Sequence, residues 1–439
     1  MKFSNLPLSL TDMSAPVIGI ASRTQTPKGL RLHIGLFGRR NAGKSSLINA
    51  LTNQKIAIVS DVPGTTTDPV EKACELAPIG PVVFIDTAGV DDVGELGGLR
   101  TERSLAVLGW VDVALIVCDA KALTESELEL IRTVKSTATP TVVVLNKADT
   151  ADAKELIATQ EQVRSLGYEP VTVCASQKLN IDAVREAIVK LAQNAVEPDL
   201  PLLGDLVHPG DTVMLVTPID TGAPKGRMIL PQVQAIREVL DADAKCIVVR
   251  ENRLAETLTN EKEPPAFVVT DSQVVQSVVA QTPKTIPVTT FSIQMAYSKC
   301  DLVDMARGAA MIDFLRPGDK VMICETCSHH PQPDDIGRKK LPRWLAKKVG
   351  GELDIEVVVG KDFPVDLTPY KLILQCGGCV VTRRHMLTRL AQAKRQNIPM
   401  TNYGVAISHL QGVLERALEL HPKALKAFHE AREIFANHF

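Results

Sequence analysis

The sequence predicts an α/β protein built as three successive units, each with a mainly parallel sheet. Three observations lead there. After about residue 29, short β-rich apolar runs alternate with helical patterns. The runs are near-continuous in apolar residues, as strands buried on both faces require. A Pro- and acid-rich stretch, "NAVEPDLPLLGD", reads as a linker, after which the strand and helix order starts afresh. Length agrees, since 439 residues exceed one ordinary core and suit two or three domains.

Composition narrows the function classes. Apolar residues at 45% and charged residues at 23% fit a soluble globular protein. A formal charge of −2 gives no global pull toward nucleic acid or anionic lipid, and 4% aromatics leave little to stack bases on. No nucleic-acid partner is expected. No run approaches about eighteen apolar residues, so neither a transmembrane helix nor a membrane partner is expected. Residues 1–28 read as a flexible extension, because Asn5, Asp12 and several prolines break the apolar stretch a signal peptide needs. Nine cysteines without an export signal point to reduced thiols and a cytoplasmic location.

The first unit, residues 29–195, has strand candidates in "LRLHIGLFG", "VVFIDTAG", "VDVALIVCDA", "TPTVVVLNKAD" and "EPVTVCAS". Between the first strand and a helix stands "GRRNAGKS", Gly38 to Ser45. Glycines in that spacing let the backbone N–H groups of Asn41, Ala42, Gly43, Lys44, Ser45 and Ser46 curl around phosphates. Lys44 then meets the terminal phosphates and the Ser45 hydroxyl meets Mg2+. "DTAG" follows the next apolar strand and supplies Asp86 for magnesium and the Gly89 amide for the γ-phosphate. "NKAD", with Asn146, Lys147 and Asp149, closes a further strand. The Asp149 carboxylate can accept from guanine N1–H and its 2-amino group, a donor pair adenine lacks. Ala175 in "CAS" is expected to offer its amide to guanine O6, and Thr66 in "GTTTD" to close on magnesium. Together these predict a P-loop GTPase domain, with Lys44, Thr66 and Gly89 carrying hydrolysis of GTP.

This set resembles the translation-factor-related GTPases that include tRNA-modifying and ribosome-assembly enzymes. The residue after "DTAG" is Val90, which cannot orient water. The resemblance implies that K+, held partly by a phosphate-loop asparagine, supplies the missing charge. Asn41 stands at that place, and simple loop hydrogen bonding is its other reading.

A second unit, 200–292, contains "DTVMLVTP", "AKCIVVR", "AFVVT" and "IPVTT". A third, 293–439, opens with one helix expected near 297–315 and contains "DKVMICETC", "LDIEVVVG", "YKLILQCGGC" and "IPMTNYG". Cys74, Cys118, Cys174, Cys246 and Cys300 are scattered, most in or beside strand-like runs, and read as small hydrophobes. Cys324/Cys327 and Cys376/Cys379 form two C-x-x-C pairs, each after a strand, where parallel sheets gather ligands. Taken alone, the pairs could make a tetrahedral zinc site. Strand alternation puts Cys324 on the same face as Met322, and Cys327 opens the loop "CSHHPQPDD".

Cys327-Ser-His329, a long spacer and then Cys376-Gly-Gly-Cys379 resemble the C-x-H…C-x-x-C signature of the di-iron hydrogenase maturation GTPases. The domain order and the loop "PIDTGAPKGRMILPQVQAIREVLD" are also similar to that family. The resemblance implies a 4Fe-4S cluster on Cys327, Cys376 and Cys379, with Cys324 a bystander. One iron then lacks a cysteine. His329, His330, Asp334 and Asp335 are near in sequence, and His329 or Asp334 is the expected labile ligand. Gln375 stands where the family often has histidine. The family implies that 200–292 dimerises, giving a homodimer, and that 293–439 carries the cluster. It further implies a scaffold that receives a di-iron precursor and delivers it to apo-[FeFe]-hydrogenase alongside radical-SAM maturation enzymes. The alternative is a tRNA-modification or ribosome-assembly GTPase with a zinc-stabilised C-terminal domain.

Overall fold

Apolar runs too continuous for a half-exposed sheet become three separate sheets with helices packed on their faces. The computed structural model describes residues 26–52, 69–89, 104–194, 200–219, 228–326 and 335–438. In the first unit β1 (Leu32–Phe37), α1 (Lys44–Thr52), β2 (Val70–Leu76), β3 (Gly80–Asp86), β4 (Val113–Asp119) and α2 (Glu125–Ser136) are followed by β5 (Thr141–Asn146), α3 (Ala153–Ser165), β6 (Val171–Thr172) and α4 (Ile181–Asn194). The strand order is β2-β3-β1-β4-β5-β6. All pairs are parallel except β2 with β3. Helices α2 and α3 each start on a capping box, Thr124 with Glu127 and Asp152 with Glu155. Side chains alternate between two cores, Ile34, Leu36 and Leu115 on one face, Phe37, Ile116 and Leu145 on the other. Strand β2 is an addition to the sequence reading. As an antiparallel edge strand it has one side to solvent, so "VEKACEL" shows no apolar run.

The second unit has β7 (Thr212–Val216), α5 (Leu230–Asp241), β8 (Lys245–Val249), α6 (Leu254–Asn260), β9 (Phe267–Thr270), α7 (Val275–Gln281) and β10 (Val288–Thr290), ordered β10-β9-β7-β8 and parallel throughout. The third begins with α8 (Phe291–Lys299) and α9 (Leu302–Ala310). These are two helices where the sequence reading had one near 297–315. The break falls at Asp301, whose carboxylate accepts from the N–H groups of Val303 and Asp304 and so caps the second helix. Then come β11 (Lys320–Glu325), α10 (Leu341–Val349), β12 (Asp354–Val359), β13 (Leu372–Gln375), α11 (Arg383–Arg395), β14 (Met400–Asn402), α12 (Tyr403–Leu410), α13 (Leu414–Ala417) and α14 (Pro422–Ala436). The order β12-β11-β13-β14 is parallel.

The units share surfaces. Helix α8 gives Phe291 and Met295 to the core of the second and Ile293 and Ala296 to that of the third. Gly29, just before β1, lies against the Cys376–Cys379 turn so closely that a Cβ there would sit 2.5 Å from the Cys379 carbonyl oxygen. The fully buried Lys299 donates to the Gly29 carbonyl at 2.7 Å. Trp110, ahead of β4, is packed edge-on to His33 and stacked with His385 of α11, and Lys361 lies 3.1 Å over its ring. Lys361 and Lys28 both pair with Glu71 of β2. Burial, with Lys361 adding to it, depresses His33 to about 4, and burial depresses His385 well below the usual histidine range.

Candidate functional site

The nucleotide site is set by the loop that joins β1 to α1. Gly38 and Gly43 adopt positive φ, 145° and 96°, and a side chain on either would strike Val117 O or Asn146 Nδ2. Asn41 takes the left-handed conformation at φ 60° on the exposed rim of the loop. Ala42 is buried, and Lys44 and Ser45 begin α1 with Ser46 beside them. The Lys44 ammonium folds back on the carbonyls of Gly38 and Arg39 at 2.9 and 3.0 Å. Ser45 Oγ donates to Asp86 Oδ2 at 2.8 Å, bringing together the two groups expected at magnesium. Gly89 follows Thr87, whose hydroxyl is tied to Leu36 O at 2.6 Å. Thr66 and Val90 lie outside the described residues.

The base-recognition elements converge on the same loop. Asn146 donates through Nδ2 to Ala42 O at 2.9 Å and accepts through Oδ1 from the Ala175 N–H at 3.0 Å. One buried amide thus joins the phosphate loop to "CAS". The Ala175 amide, expected to face guanine O6, is given to Asn146 in this structure. Lys147 holds φ 62° and reaches Asp119 Oδ2 at 3.3 Å. Burial pushes the Asp119 carboxyl up, but hydrogen bonds from the Lys121 amide and Lys147, with the charges of Lys147 and Arg39, outweigh it and hold the acid ionised. Asp149 accepts from Cys174 Sγ at 3.1 Å and from Gln177 Nε2 at 3.2 Å. Cys174 is buried, as the sequence reading of a small hydrophobe expects, and its thiol also reaches the base-recognition carboxylate. Its place immediately before Ala175, at the end of a strand, was the available signal.

The second gathering of chemistry is at the carboxyl ends of β11 and β13, which are neighbours in register with Cys324 opposite Gln375. Cys324 shares a core with Met322, Tyr370 and Ile373, and burial drives its thiol up to about 12. Cys376 lies just beyond, its N–H donating to Cys324 O at 2.9 Å. Its sulfur accepts from the Thr326 N–H at 3.2 Å, and Thr326 Oγ1 and Gln375 Nε2 lie 3.0 and 3.5 Å from it. The Thr326 N–H is the unambiguous donor to this sulfur; the Thr326 hydroxyl and the thiol can each donate to the other, and Gln375 Nε2 lies as near the carbonyls of Cys324 and Cys376. A cysteine sulfur at the carboxyl end of a strand with a backbone N–H aimed at it fits ligation of an iron–sulfur group. Thr326 is bonded directly to Cys327. The Gly377–Gly378 turn, with Gly378 at φ 68°, brings Cys379 onto the second unit's core at the start of α11.

Cys327, His329, His330 and Asp334 lie outside the described residues. Asp335 is described, buried, and accepts from the Arg338 N–H at 2.9 Å as the cap of a π-turn at Ile336–Lys340. Among the described residues no group of three or more His, Cys, Asp or Glu is placed to hold a metal ion. No described helix is long and apolar enough to cross a membrane.

Comparison with known proteins finds three family matches along the chain. Residues 202–300 match the hydrogen maturase F dimerization domain and residues 303–420 the hydrogen maturase F tetramerization domain. Residues 33–147 match the 50S ribosome-binding GTPase family. The tRNA modification GTPase MnmE of Trichormus variabilis is 38% identical over 167 residues, 37% of this chain and 34% of that protein. GTPase Der of Wolinella succinogenes is 34% identical over 172 residues, 37% of this chain and 36% of that protein. The match thus spans about a third of these curated relatives. Aquifex aeolicus Era bound to GDP and aluminium fluoride covers 52% of this chain and 97% of its own, at 20% identity and a TM-score of 0.33.

Proposed function

Because the chain belongs to the hydrogen maturase F family of GTPases, we propose that it hydrolyses GTP and holds a 4Fe-4S cluster on Cys327, Cys376 and Cys379. On this reading it is a scaffold that carries a di-iron precursor to apo-hydrogenase, with the radical-SAM maturation enzymes as further partners. The observation that carries the cluster is the approach of the Thr326 N–H and the Gln375 amide to Cys376 Sγ. Ser45 and Asp86, already hydrogen-bonded, support magnesium and the triphosphate. The fourth iron takes a labile ligand, His329 or Asp334.

Self-association is supported by β8, an edge strand with exposed Val248, and by Val233 and Leu240 exposed on α5. The rim position of Asn41 leaves its side chain available to a potassium ion. Hydrolysis is therefore faster in potassium than in sodium, an advantage lost in Asn41→Ala; equal rates in the two salts refute the potassium assignment alone. The deciding experiment is anaerobic purification of the full chain. A brown protein containing iron and sulfide is expected. A colourless protein containing zinc would instead support a tRNA-modification or ribosome-assembly GTPase with a zinc-stabilised tail.

A further inference from the structure

Beneath the cysteine turn lies a buried cation that forms no ion pair among the described residues. Arg389 of α11 is 2% exposed. It donates through Nη1 to Gln375 Oε1 at 2.9 Å and through Nη2 to the carbonyls of Gly360 and Asp362 at 2.9 and 3.3 Å. Its Nε is buried without a hydrogen-bond partner, and among the described residues no carboxylate pairs with it. The Phe363 ring lies 5.0 Å from the guanidinium, in cation–π range. A buried charge is destabilising unless an opposite charge compensates it. Neutral oxygens supply only part of that compensation.

Arg389 is joined to Cys376 through a single side chain, since Gln375 accepts from Arg389 and turns its own amide toward Cys376 Sγ. Burial lowers the guanidinium pKa, and the groups that offset this are, in order, Cys324, Cys376 and Asp362. A 4Fe-4S core on three thiolates is net negative, and one-electron reduction makes it more so.

We propose that Arg389 is the buried counter-charge of the iron–sulfur group, stabilising its reduced form through the field of the guanidinium and the polarised Gln375 amide. This rests on the cluster reading above. It assigns a positioning and tuning role to a helix residue outside the cysteine signature. A purely structural stitch between the 360–362 loop and β13 would need the same hydrogen bonds but would leave the redox properties alone.

The test compares anaerobically loaded full-length wild type with Arg389→Gln, Arg389→Met and Arg389→Lys. The midpoint potential of the cluster should fall in the Gln and Met variants and stay near wild type in Lys. Iron extraction by a chelator should accelerate about tenfold in Gln and Met, the scale of one lost charge-assisted interaction. If Arg389→Met fails to fold, the comparison of Gln with Lys decides. Equal potentials in wild type, Gln and Lys, at equal iron content, would overturn the counter-charge. A wild-type protein without iron would overturn the cluster itself, a different result from a different measurement.

Discussion

Substituting Gly29 by alanine drives a wedge between the GTPase unit and the cysteine turn. Gly29 sits in a short 3-10 turn whose backbone suits any L residue, so the local conformation is not at stake. Its added Cβ would stand 2.5 Å from Cys379 O and 2.9 Å from Val381 O, both backbone atoms that cannot rotate away. An ordinary C···O approach is about 3.3 Å, so the turn must retreat by about 0.8 Å. Overpacking of this kind costs about 1–3 kcal/mol. If that strain is relieved when the turn lifts, the opening equilibrium rises between about fivefold and about 150-fold, at a factor of ten per roughly 1.4 kcal/mol. The assay is the alkylation rate of Cys379 in the metal-free full chain, read by peptide mass. GTP affinity should be unchanged, because the phosphate loop is at the other end of β1. An unaltered Cys379 rate in a folded, GTP-binding Gly29→Ala protein would refute the argument.

Other outcomes rest on the same geometry. Asp149→Asn should weaken GTP binding at least about tenfold in a calorimetric titration, since charge-assisted hydrogen bonds contribute roughly 1.5–3 kcal/mol. Unchanged affinity would remove Asp149 from base recognition. Cys324→Ser should keep its iron while Cys376→Ser loses most of it, by elemental analysis of anaerobic protein; equal loss would make Cys324 a ligand. His33 has a folded pKa of about 4 against 6.5 unfolded, so its contribution is complete above pH 6.5 and is lost as pH falls through 4. The difference corresponds to about 3 kcal/mol. Urea unfolding midpoints measured from pH 7 down to 4.5 should therefore fall less steeply in His33→Gln. Parallel slopes would refute the assignment, and His385 and His421, shifted the same way, contribute to the slope that remains.

How much of this was legible beforehand depended on whether a residue announces itself locally. The runs of β1, β4 and β11 are apolar because both faces of the sheet are covered, and the glycines around Lys44 are spaced by the turn they must make. Strand β2 was invisible for the converse reason, since one neighbour and an exposed side let charged residues occupy it. Arg389 escaped because its role depends on partners far away in sequence. In "RRHMLTRLAQAKR" Arg389 is one arginine among four, and helical periodicity reads the stripe through Met386, Leu390 and Ala393 without asking what lies beside it. His385 and Arg389, four residues apart, face inward on the same helix, yet their burial depends on Trp110 and the 360–362 loop.

The shared surfaces decide how the molecule can be taken apart. Trp110 belongs to the GTPase unit by sequence, yet its ring is covered by Lys361 and His385 of the third unit. Cys379 and Leu420 of the third pack on the core of the second, and helix α8 serves both. Breaking the chain between residues 194 and 200 would therefore sever a covalent thread without dissolving the contacts that hold the pieces. An excised N-terminal piece would carry a bare indole and Glu71 without its Lys361 partner. Dissection at sequence boundaries thus yields fragments with raw faces, and the smallest faithful object for studying the nucleotide site is the whole chain.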